Sequence, residues 1–210
     1  MDANVEWTDP EALLSRLKTP GAHVVQFFPD DASLVDVLGH FVVTGLAAGD
    51  AVVAIATDRH LDACSRYARA RGEDLARAAA EGRYVGLDAA AVLATFMAGG
   101  RPIASRFADS VGDVIARAGG VGARGHVRAF GEMVALLWAD GLRDGALRLE
   151  DLWNDLSLDL PFGLLCAYPD CVFDDADDAS ALLDICGRHS QAASAARPAC
   201  DTSRTPFRGG

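Results

Sequence analysis

Lysine is almost missing from this chain. Lys18 stands alone among 19 basic residues, ahead of the first apolar run, and the other basic residues are arginines. A lysine inside the fold that grips phosphate or assists catalysis is thereby excluded, and with it the usual phosphate-loop and phospho-receiver chemistries. The five cysteines are odd in number and contain no C-x-x-C pair, so a disulfide framework is not indicated. Cys64, Cys166 and Cys186 fall in otherwise apolar patterns and read as reduced core thiols, Cys166 also offering a redox-sensor alternative. No G-x-S-x-G elbow is present, which speaks against a serine hydrolase. No apolar run is long enough for a membrane span, and Met1 to Pro20 lacks the features of a signal peptide, so a cytoplasmic location is expected. Basic patches are absent too: 30 acidic residues against 19 basic ones leave a net charge of -11, which disfavours nucleic acid and anionic membrane surfaces as partners.

What is present is a body of 210 residues, half of them apolar, enough for one sizeable core. Residues 1–20 read as a lead-in with one amphipathic turn, 21–189 as a single domain, and 190–210 as a small, polar, disordered tail. Within the domain, compact apolar runs at His23 to Phe28, Ala51 to Thr57, Arg83 to Leu87, Val127 to Phe130 and Phe162 to Ala167 alternate with helical periodicities, such as Leu34, Val37, Leu38, Phe41 and Val42. Helices are also expected over Ala89 to Ala98, closed by Gly99-Gly100, and over Pro102 to Ala118. A last helix is expected to begin between Asp174 and Asp178. Strands separated by helices imply an α/β fold, a mainly parallel sheet of at least five strands with helices on both faces.

In such a sheet, side chains just past the strand carboxyl ends line the ligand crevice. The first such turn, Phe28-Pro29-Asp30-Asp31-Ala32-Ser33, has no glycine and carries carboxylates that would cap the next helix and repel phosphate. Asp58 and Asp88 also follow strands and read first as helix N-caps. Glu132 ends a strongly apolar strand; general base, metal ligand, ligand acceptor, helix cap and partner of Arg128 all remain open for it. Glu150 and Asn154 lie four apart on one helix face and can act together, while Trp153 is at core spacing. Cys166 and Tyr168 alternate on one strand face, and Glu132 and Tyr168 are expected to share a pocket. The five histidines are dispersed, with no helical pairing that would hold a metal, so no metal or cofactor is expected.

Five segments in order resemble the methanogen and methylotroph sensory domain, MEDS: His23 to Phe28, Tyr84 to Ala89, Phe130 to Trp138, Leu149-Glu150 with Trp153-Asn154, and Leu165 to Pro169. The resemblance covers about residues 21 to 175. It implies a three-layer RecA-like fold related to circadian-clock and RecA-type ATPases, in which the first strand has lost its phosphate loop. It also implies a sensory role, in a family found alone or joined to histidine kinases and transcription regulators. In that comparison Asp58 falls near the catalytic carboxylates of the related ATPases, and Glu132 near their metal-binding strand end. The expectation is a non-enzymatic signal-transduction module that binds a small molecule or partner protein through Gln26, Asp58, Glu132, Glu150, Trp153 and Tyr168. Its output would pass to a histidine kinase or transcription-regulatory protein of a two-component system, or through homo-oligomerisation. The alternative is a nucleotide hydrolase rebuilt around Glu132 and Asp58, with arginines such as Arg106 or Arg128.

Overall fold

The computed structural model describes residues 14–121, 126–170 and 178–194. The start expected for the last helix between Asp174 and Asp178, and the tail from 195 onward, lie largely or wholly outside these residues. The chain runs β1 (His23–Phe28), α1 (Asp31–Ala47), β2 (Ala51–Ala56), α2 (Asp58–Ala70), α3 (Leu75–Ala80), β3 (Tyr84–Asp88) and α4 (Ala89–Phe96). A short ribbon follows, β4 (Met97–Ala98) and β5 (Arg101–Pro102), and then α5 (Ala104–Phe107), a π-turn (Ala108–Gly112) and α6 (Asp113–Gly119). The second half holds β6 (Val127–Gly131), α7 (Met133–Ala139), α8 (Arg143–Asp159), β7 (Phe162–Pro169), α9 (Asp178–Cys186) and β8 (Gln191–Ser194).

Six strands form one sheet in the order β3-β2-β6-β7-β1-β8, and every neighbouring pair is parallel. Strands buried on both faces need continuous apolar side chains instead of an alternation. β2, with the sequence AVVAIA, meets that demand and is buried at all six positions. Side-chain alternation then divides the core in two. Val24, Phe28, Val52, Ala54, Phe130, Leu165 and Ala167 pack with α1, α2 and α3, whereas Val25, Phe27, Val53, Ala129, Leu164, Cys166 and Tyr168 pack beneath α4 to α8. The result is the expected three-layer, RecA-like arrangement.

Three local expectations give way. The tail expected from Ser190 instead supplies β8, which pairs with β1 and extends the sheet to a sixth strand; its side chains are small, so composition alone reads as loop. Gly99 and Gly100 do not simply end a helix. Both have positive φ, 57° and 77°, and form the two-residue turn of the β4–β5 hairpin, which also places Pro102 in a strand ahead of α5. Asp58 is the first residue of α2, not its cap; Thr57 holds the cap position. Asp88 does cap α4, accepting from the Ala91 amide at 2.7 Å.

Candidate functional site

Two buried glutamates organise the polar interior, one on each side of the sheet. Glu132 follows β6 and is fully buried. Its Oε2 accepts the Thr57 amide at 2.9 Å, the first free N–H past β2, and its Oε1 and Oε2 lie 2.8 and 2.9 Å from His60 Nδ1. His60 sits in the first turn of α2, so β2, β6 and α2 all meet at this carboxylate. The imidazole is 1% exposed, and its far nitrogen, Nε2, lies 3.6 Å from Asp31 Oδ1. Asp31 begins α1, is about half exposed, and pairs with the exposed Arg59 at 2.6 Å. A line of contacts thus runs from a sealed carboxylate to a solvent-facing ion pair, at the carboxyl ends of β1, β2 and β6. The first turn of α1 needs no phosphate: Asp30 itself caps it, accepting the Ser33 amide at 2.8 Å.

The second glutamate, Glu150, lies on the buried face of α8. Glu150 Oε1 accepts the Tyr168 hydroxyl at 2.8 Å; Oε2 is 3.4 Å from Cys166 Sγ, 3.2 Å from His23 Nε2 and 3.5 Å from His189 Nε2. Asn154, one turn further along α8, places its Oδ1 2.9 Å from His23 Nδ1. The two histidine rings are 4.1 Å apart. Asn154 is partly buried and the other side chains are buried, with Glu150, Cys166 and Tyr168 0% exposed.

Burial alone would push the Glu150 carboxyl up, but the flanking His189 and His23 outweigh it and hold it well below the usual carboxylate range. Burial, reinforced by Glu150, pushes the Cys166 thiol and the Tyr168 phenol far up, so both stay protonated donors. Burial and His189 hold His23 below its ordinary value against the pull of Glu150 and Asn154.

The six residues expected to line one pocket are therefore divided. Glu150 and Tyr168 meet directly, whereas the expected pair Glu150 and Asn154 is joined only through His23. Trp153 is 1% exposed and is wall material, edge-on to Phe107 at 5.1 Å and near Phe162 at 5.9 Å. Glu132 does not share a pocket with Tyr168: it contacts α2, whereas Tyr168 faces the α8 layer. Glu132 does not pair with Arg128 either, because Arg128 is taken by Asp50 at 2.6 Å. Gln26, 1% exposed, lies on the α1 and α2 side; its register partner Ala167 is one residue beyond the Gly131–Cys166 pairing, which places Gln26 level with Glu132 two strands away, about 10 Å. Asp58 is exposed on α2. His23, His60 and His189 went unmarked in the sequence. Their contacts with Asp31, Glu132, Glu150 and one another join residues 29 to 166 apart, for which no local periodicity exists.

A family model, the MEthanogen/methylotroph, DcmR Sensory domain (MEDS), matches residues 22–190, and the chain belongs to this family. No curated protein gives a match. Sensory function therefore holds at the level of the family. No described helix is long and apolar enough to cross a membrane.

Proposed function

We propose that this MEDS-family chain is a non-enzymatic receiver, one that binds a small molecule or partner protein at the strand carboxyl ends and passes the occupied state to signalling machinery such as a histidine kinase or transcription regulator. The carrying observation is the contact line Glu132–His60–Asp31–Arg59, which joins a fully buried carboxylate to an exposed ion pair through one imidazole. A ligand or partner that engages Arg59 or Asp31 disturbs His60, and His60 anchors the start of α2 to the end of β6. Displacement at the surface is thereby delivered to two elements of the core. Gln26 supports the same location, since its buried Oε1 has no hydrogen-bond partner among the described residues and the side chain lies on the same side of the sheet. The acidic turn capped by Asp30 and the lack of an internal lysine argue against phosphate transfer at this position.

Glu132→Gln retains size and one acceptor but removes the charge that holds His60. Native mass spectrometry of protein purified from its own host is expected to show an added ligand or partner mass on the wild type that Glu132→Gln lacks. The same mass on both, or none on the wild type, overturns the proposal. Clear ATP turnover with magnesium that Glu132→Gln abolishes overturns the non-enzymatic reading in favour of a hydrolase.

A further inference from the structure

The tautomers in the sealed cluster leave an imbalance. His189 Nδ1 lies 2.7 Å from the Ile185 carbonyl, which only accepts, so Nδ1 carries the proton of the neutral ring and Nε2 presents a bare lone pair. Asn154 Nδ2 donates to the Arg188 carbonyl at 3.0 Å, which orients its Oδ1 as acceptor for His23 Nδ1–H at 2.9 Å. His23 Nε2 is then bare as well. Three electron-pair donors, His23 Nε2, His189 Nε2 and Glu150 Oε2, converge with a single proton among them, that of the Cys166 thiol. His189 Nε2 is fully buried and has no hydrogen bond among the described residues. Convergent bare donors in a dry interior repel one another unless a cation, either an added proton or a metal ion, lies between them.

We propose that His23, Glu150, Cys166 and His189 bind one zinc-class divalent ion in a tetrahedral, closed site. The four ligating atoms all lie within 4.8 Å of one another. Four of the six edges are already 3.2, 3.3, 3.4 and 3.5 Å. A zinc ion with bonds of about 2.0 to 2.3 Å to nitrogen, oxygen and sulfur requires tetrahedral edges of about 3.3 to 3.8 Å. Charge agrees with size: a dication, one thiolate, one carboxylate and two neutral imidazoles sum to zero, the state that best tolerates complete burial. On binding, the ion displaces the Cys166 proton, which leaves to solvent, and sulfur takes its place in the coordination shell.

The outer shell matches as well. Ile185 and Asn154 fix the two Nδ1–H groups, while the Tyr168 hydroxyl occupies Glu150 Oε1 and leaves Oε2 for the metal. Mixed nitrogen, sulfur and oxygen donors select zinc over magnesium or calcium. With all four positions supplied by protein the ion has no open coordination place, so the site organises structure instead of activating water. It ties β1, β7, α8 and the segment entering β8, where Arg188 also pairs with Asp151 of α8 at 2.9 Å. The four ligands lie on the opposite face of the sheet from Glu132 and His60 and share no side chain with that site.

The test uses the full chain, stripped with chelator and titrated with zinc chloride or cobalt chloride. One equivalent of zinc is expected to bind, to raise the melting temperature and to release a proton. Cobalt is expected to give the intense visible bands of a tetrahedral site and a thiolate-to-cobalt band in the ultraviolet. Cys166→Ser should lose the thiolate band, His189→Ala should lose stoichiometric binding, and Tyr168→Phe should weaken it about ten- to a hundredfold. Cys64→Ala, a control in the core on the opposite face of the sheet, should keep stoichiometric binding and both bands. Absence of binding to the folded wild type, or a thiolate band that survives in folded Cys166→Ser, overturns the proposal. If His189→Ala fails to fold, the cobalt spectrum of the wild type alone decides: octahedral, sulfur-free spectra refute the site.

Discussion

The two buried glutamates are alike in burial and in having histidine neighbours, and they differ in where those neighbours lead. Glu132 connects through His60 to Asp31 and Arg59 at the surface, whereas Glu150 is enclosed by His23, His189, Cys166 and Tyr168 with no exposed member among them. One face of the sheet therefore carries a polar path that solvent, ligand or partner can reach. The other carries a sealed knot that joins distant elements. Charge at the first can be altered from outside; charge at the second is altered only by local opening or by a bound ion.

The comparison breaks most visibly at Glu150. In chelator-treated protein, where a proton shared between Glu150 and its histidines takes the place of the metal ion, Glu150→Ala should cost about 3 to 5 kcal/mol in urea denaturation, because it removes that counter-charge and leaves the Tyr168 phenol without its acceptor. Glu132→Ala, with a surface path that lets water enter, should cost less, about 1 to 3 kcal/mol. Equal losses would show that the two regions are equally sealed.

A third histidine contact sharpens the contrast. His126 Nδ1 lies 3.6 Å from Asp50 Oδ1 at the amino ends of β2 and β6, beside the Asp50–Arg128 pair. Burial lowers the His126 pKa below its ordinary 6.5, with Arg128 adding to the effect and Asp50 opposing it. The folded protein then binds fewer protons there than the unfolded chain, so this residue costs stability as pH falls through 6.5 and costs nothing above it. His126→Gln should flatten the decline in melting temperature between pH 7 and 5; an unchanged slope contradicts the assignment. The smallest effect is expected at Arg59→Ala, where an exposed pair is worth less than about 1 kcal/mol and only the ligand or partner response should change.

The sheet was legible because β1, β2, β6 and β7 are short, largely apolar runs that helical periodicities separate, a signal carried by neighbouring residues. β8 was not, since Gln191 to Ser194 is small and polar and becomes a strand only by pairing with β1. At the site, Glu132, Glu150 and Tyr168 were visible as polar breaks in apolar patterns, and the Cys166–Tyr168 and Glu150–Asn154 spacings correctly placed each pair on one face. Their histidine partners were hidden. His23 opens a strand and His189 lies in the turn before another, and only the β1–β8 register, where Val24 pairs with Gln191, makes them neighbours. The single pocket expected for Glu132 and Tyr168 failed because Gly131 pairs with Cys166, so Glu132 lies level with Ala167 and shares its face, while Tyr168 turns to the other.

The claim that the two faces hold separate functions, an open receiver and a sealed metal knot, is tested most directly by native mass spectrometry of wild type, Glu132→Gln and His189→Ala purified from the native host without chelator. The predicted result is a metal ion together with a ligand or partner mass on the wild type, loss of the ligand or partner mass alone in Glu132→Gln, and loss of the metal alone in His189→Ala. Joint loss of both masses in either folded variant, or a wild type that carries neither, would contradict the account.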